Sequence, residues 1–209
     1  MKTRVLQELK VERIHVAPRA LDLASEPVQQ RFPHVWAPLE ALLGELQPFP
    51  EGLVRFWLEQ TGGHVVITHL ASYYDPGDWL LKDKLLHNMA YVGLSDLAES
   101  SLEALVPVGH LLDHLLGNGG QLEGRWLSEG GGADLALQQV GARVAELFLL
   151  GHGFDEAASR DSRSYFARSV ALYLQDRRAL NVADPLLARL LRSMLFSDRF
   201  WRSRQPLQG

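Results

Sequence analysis

Val108-Gly109-His110-Leu111-Leu112-Asp113-His114-Leu115-Leu116-Gly117 sets two histidines four residues apart in an apolar run. On a helix, residues i and i+4 share a face one turn apart, so His110 and His114 project together, as two zinc ligands must. The spacing alone is weak, because two histidines four apart also arise by chance. Two buried neutral imidazoles bonded to nearby backbone would give the same pattern.

Working outward, the apolar periodicity predicts a helix over 102–116 and further helices over 134–150, 161–174 and 185–196. Gly117-Asn118-Gly119-Gly120 and Gly130-Gly131-Gly132 punctuate them. Upstream, the alternation from Val11 to Val16 predicts a first strand with Val11, Ile14 and Val16 partly buried, closed by Pro18. Ser25-Glu26-Pro27 and Trp36-Ala37-Pro38 read as helix starts with proline in the first turn, giving two short helices between 25 and 47. A third helix fits 51–60, ended by Gly62-Gly63. The β-branched run 64–70 predicts a strand, followed by a turn at Asp75-Pro76-Gly77-Asp78 and a strand at 79–81. Strands that precede helices imply an α+β fold rather than alternating βαβ units.

At 209 residues, with 46% hydrophobic and 22% charged, residues 1–209 read as a single globular domain. The absence of cysteine removes disulfides, thiolate nucleophiles and thiolate-held zinc, so any metal site must be built on the eight histidines with Asp and Glu. A formal charge of -4 offers no bulk attraction to nucleic acid. The basic cluster Arg189, Arg192, Arg199, Arg202 and Arg204 reads as a solvated helix face and tail. Dinucleotide and phosphate-loop signatures are absent, as is a serine-nucleophile elbow. The start of the chain has no apolar leader, and the apolar stretch near 102–116 is interrupted by charge and proline, so a cytoplasmic location without a membrane span is expected.

The succession of parts carries more than any one motif. A strand, a second strand, Tyr73-Tyr74-Asp75-Pro76-Gly77, the helix with His110 and His114, then Ser164-Tyr165-Phe166-Ala167-Arg168 on a later helix, then Asp184-Pro185-Leu186-Leu187, follow in one order over residues 60–196. In that order the chain resembles the zincin-type metallopeptidase domain of the lethal-factor-like family. The resemblance implies a zincin-like α+β fold: a small sheet, the His-x-x-x-His helix packed on it, and a mostly helical C-terminal half. Tyr73 and Tyr74 would lie near the substrate cleft. Residues 19–60 have no counterpart and read as a helical insertion.

Carried over residue by residue, the resemblance implies a degenerate site. The general base falls at Leu111, which cannot move a proton; the third zinc ligand falls at Ser164; the next family glutamate falls at Arg168; and the transition-state tyrosine falls near Ala157. Two substitutes stand open. Asp113 makes His110-Leu-Leu-Asp113-His114 an inverted motif with a shorter acid as base. Asp161, three residues before Ser164, could serve as a ligand, though capping the following helix is the plainer role. His152 and Asp155 are further loop candidates. The expectation is therefore a non-hydrolytic protein without bound zinc that binds a peptide or protein partner. The alternatives are a divergent zinc hydrolase using His110, His114 and Asp161 with Asp113, and a structural subunit acting through 19–60 or the basic tail. Oligomeric state is not legible.

Overall fold

A computed structural model describes residues 2–81, 84–151 and 153–204. The elements run α1 (Lys2–Arg13), β1 (Ile14–Val16), α2 (Glu26–Arg31), α3 (Trp36–Leu46), α4 (Glu51–Glu59), β2 (His64–Thr68), β3 (Tyr73–Leu81) and β4 (Lys84–Gly93). After these come α5 (Leu94–Ala98), a 3-10 turn Leu102–Ala104, α6 (Val106–Asn118), a 3-10 turn Leu127–Glu129 and α7 (Leu135–Leu149). The chain then continues through α8 (Ser162–Gln175), α9 (Arg177–Ala183), α10 (Pro185–Ser193) and α11 (Asp198–Arg204). The α+β class holds: the four strands of the described residues lie before residue 94, and every regular element after them is a helix or 3-10 turn.

The sheet has the order β1-β2-β4-β3, with β1, β2 and β4 parallel and β3 antiparallel to β4 at the edge. Val65, Ile67, Ala90 and Val92 point into the main core. Val66, Leu86, Met89 and Tyr91 form a second cluster on the opposite face, against Trp79 and Ala17. Buried on both faces, β2 is the apolar run expected of a central parallel strand.

Three readings of the N-terminal half need correction. Only Ile14–Val16 is strand; the residues before it complete α1, and Val11 is 78% exposed on that helix. Asp75-Pro76-Gly77-Asp78 does not reverse the chain but sits inside β3, where the register slips between Asp75 and Asp78. Asp75 Oδ1 accepts from the Gly77 N–H at 2.8 Å, so the local turn chemistry is spent on a bulge. Strand β4 was not anticipated, its pattern being broken by Asn88, which has a left-handed φ of 59°.

The segment 19–60 carries α2, α3 and α4, and its side chains join the main core: Phe32, Leu39, Leu42, Leu46, Phe49, Leu53 and Trp57 are all buried. Trp57 also donates from Nε1 to the Gly63 carbonyl at 2.8 Å, tying α4 to the start of β2.

Helix α6 begins after a 3-10 turn because Pro107 occupies its first turn, and it ends on Gly119 in a left-handed conformation. A Cβ at Gly109 would lie 2.4 Å from the Ala167 carbonyl oxygen on α8, and one at Gly117 would lie 2.3 Å from the Leu127 nitrogen. Both glycines therefore let backbone meet backbone. Gly109→Ala must push α6 and α8 apart, and the loss expected in denaturant unfolding is about 1–3 kcal/mol, the usual cost of overpacking. An exposed control, Gly44→Ala on α3, where nothing lies within 4 Å, should stabilise slightly.

Candidate functional site

A cleft of about 670 Å³ lies between the edge strand and the helical half. Tyr73, Tyr74 and Pro76 of β3 form one wall, and Val106, Pro107 and His110 of α6 form the floor. Trp126, Glu129, Glu103 and the first turn of α8 from Asp161 to Ser164 close the far side. The sequence reading placed Tyr73, Tyr74, His110, Asp161 and Ser164 in this neighbourhood, and the structure brings all five to the one cleft.

The two histidines share a helix face but not an environment. His114 is buried, and both its ring nitrogens are taken: Nδ1 lies 2.7 Å from the Tyr74 hydroxyl and Nε2 lies 2.7 Å from the Gln121 carbonyl. A carbonyl can only accept, so Nε2 carries the proton and Nδ1 accepts from Tyr74. The imidazole is stacked on Trp126 at 4.6 Å and 9°. His110, half-buried, faces the cleft, stacked near Tyr74 and edge-on to Trp126. Burial lowers its pKa to about 4, with the nearby Asp161 carboxylate opposing that shift, so the ring is neutral at neutral pH.

Asp113 points away from the cleft. It is fully buried on the face of α6 that carries Gly109 and Gly117, where Oδ1 accepts from the Ser128 N–H at 2.7 Å and Oδ2 lies 2.6 Å from the Ser128 hydroxyl. Burial raises its pKa from 3.8 to about 8, against the hydrogen bonds from Ser128. Asp161 takes the capping role: Oδ1 accepts from the Ser164 N–H at 2.7 Å and Oδ2 from the Ser164 hydroxyl at 3.0 Å. Leu111 is fully buried in the main core and does not line the cleft. Arg168 bridges Glu103 and Asp155, each at 2.8 Å, and so ties α8 to the loop before it and to the 3-10 turn at Leu102. His152 lies outside the described residues.

The residues present do not fit a zinc ion of the kind the resemblance implies. His114 has no free lone pair, Asp113 is turned into the core, and Asp161 is bonded to its own helix. Among the described residues, no three His, Asp or Glu side chains converge on a point that could hold a metal.

Comparison of the chain with protein-family models, with curated proteins and with solved structures found no match. The same helices contain no segment long and apolar enough to cross a membrane among the described residues.

The sequence reading missed the ring formed by Trp126, Glu129 and Arg163. Arg163 pairs with Glu129 at 2.7 Å and lies 4.0 Å over the Trp126 indole, while Glu129 Oε2 accepts from the backbone N–H of Trp126 at 3.0 Å. Trp126 and Glu129 are three residues apart. Arg163 lies 34 residues beyond Glu129.

The Asp113 shift has a definite sign. Between pH 3.8 and about 8 the unfolded chain releases this proton while the folded chain keeps it, so the group's contribution lowers stability as pH rises through that window and is constant above it. Asp113→Asn keeps both bonds to Ser128, with Nδ2 donating to the hydroxyl. Melting curves of the two proteins should coincide near pH 4, and the variant should be increasingly the more stable up to pH 8. A constant difference across that range would mean the carboxyl is ionised in the fold.

Proposed function

We propose that the cleft is a binding groove for an extended peptide segment of a partner protein, and that the chain is a non-hydrolytic relative of the zincin peptidases. The observation that carries this reading is the position of β3. It is the edge of the sheet, its outer side pairs with no strand among the described residues, and the same strand forms a wall of the cleft. An edge strand offers a row of unpaired N–H and C=O groups to which an extended chain can add, with alternate side chains dropping into neighbouring pockets. Tyr73, 45% exposed, and the half-buried Tyr74 flank that edge, and Trp126 faces them across the cleft.

The chemistry of the floor supports binding over hydrolysis. A neutral, half-buried His110 supplies one polar contact, while Leu111 stands where the resemblance puts a general base. The hydrolase alternative would need Asp113 and Asp161 to leave their present bonds, at the expense of a buried network and a helix cap.

Two measurements test the reading. Peptides selected by display against the whole chain should bind by titration calorimetry, and N-methylation at alternate backbone positions should abolish binding while the other alternate set leaves it intact. Insensitivity to both sets would rule out strand addition. Zinc content after equilibrium dialysis should be below one per chain and unchanged by His110→Ala; stoichiometric zinc lost in that variant would turn the reading to the hydrolase.

A further inference from the structure

A second cavity, of about 700 Å³, opens at the C-terminal end of α8, where α9 and α10 pack beside it. Its polar lining residues are Arg177, Arg178, Arg192 and Asn181, all exposed, with Tyr173 behind them, and no acidic residue lines it. None of the three arginines forms an ion pair among the described residues. The acids nearest in sequence are already engaged: Asp176 caps α9 by accepting from the Arg178 and Ala179 N–H groups, and Asp184 accepts from Tyr165 and from the Leu187 N–H.

Tyr173 offers a hydroxyl beside these cations. It is 4% exposed, its ring held between Phe196, stacked at 4.0 Å, and the Arg177 guanidinium at 4.9 Å. Its hydroxyl makes no hydrogen bond to protein among the described residues and reaches solvent, and Tyr173 is one of the residues that line the cavity. Burial raises the hydroxyl pKa, and the charges of Arg177 and Arg192 both oppose that shift. The remaining lining is apolar: Ala188 is buried, Phe196 is half-buried, and Val182, 84% exposed, stands at the rim.

Three cations that face one space without counter-charge repel one another, and a bound anion relieves that repulsion. Guanidinium groups hold phosphate and carboxylate oxygens through paired N–H bonds, and a doubly charged phosphate matches three cations better than a single carboxylate does. We propose that this cavity binds a small molecule carrying a phosphate monoester on an apolar body, with the phosphate held by Arg177, Arg192 and the Tyr173 hydroxyl and the body resting on Val182, Ala188 and Phe196. The site is separate in residues and in charge from the cleft beside β3.

Calorimetric titration of the whole chain with phenyl phosphate, benzoate and inorganic phosphate tests it. Phenyl phosphate should bind about tenfold tighter than either of the others, since each lacks one half of the recognised group. The double variant Arg177→Gln/Arg192→Gln should lose about a hundredfold in affinity, at roughly tenfold per charge-assisted contact, with its melting temperature little changed because both side chains are exposed. Tyr173→Phe, which keeps the stacked ring, should weaken phenyl phosphate several-fold. No saturation at about millimolar phenyl phosphate, equal affinity for benzoate, or undiminished binding by the double variant would each overturn the assignment.

Discussion

Helix α6 can lie where it does because positions 109 and 117 carry no side chain. One of them seats the helix against the backbone of α8 and the other against the chain at Trp126 and Leu127. Between them Asp113, on the same face, binds Ser128 through backbone and hydroxyl, so three positions four residues apart fasten one side of the helix along its length. With that side fixed, His110 and His114 can only turn toward β3 and Trp126, and Leu111 and Leu115 only toward the core under the sheet. The cleft, its floor and the placement of the imidazoles all follow from this one seam.

How much of this was legible in the sequence varies with the range of the contacts involved. Helix α8 and its cap could be read because Asp161 and Ser164 are close neighbours, and α10 because proline sits in its first turn. The shared face of His110 and His114 was equally legible, being a matter of helical period. What each imidazole meets was not, since Tyr74 lies 40 residues before His114 and the Gln121 carbonyl belongs to a loop shaped by glycines. The N-terminal errors have a similar origin. Val11 alternates with its neighbours as a strand residue would, but α1 continues to Arg13, and the buried Val5, Leu6 and Leu9 that anchor that helix come before the alternation starts. At Asp75-Pro76-Gly77-Asp78 the local preference for a turn was real and was overridden by pairing to β4, leaving a bulge as its trace.

The two cavities differ in how their charges are compensated. In the cleft, Arg163 is matched by Glu129 and Arg168 by Glu103 and Asp155, so the cations there serve to hold walls together. At the end of α8 the arginines have no such partners among the described residues. Arg192, which the sequence grouped with a solvated basic tail, is separated by this from Arg204, whose guanidinium is bound to Asp134 and covers the Trp201 ring at 4.5 Å. Residues of one type and one neighbourhood in sequence are thus divided between scaffold and open surface.

The bulge in β3 also bears on how copies of the chain avoid one another. A straight, flat edge strand is a template on which a second identical edge can pair and a third can follow. Here the ladder slips between Asp75 and Asp78, and Pro76 contributes no N–H to either side. An incoming strand can therefore run in step with Tyr73 and Tyr74 only as far as the kink. The irregularity that breaks this edge as a template for sheet-to-sheet pairing would also confine a guest adding to it, as proposed above, to a short segment in front of the cleft.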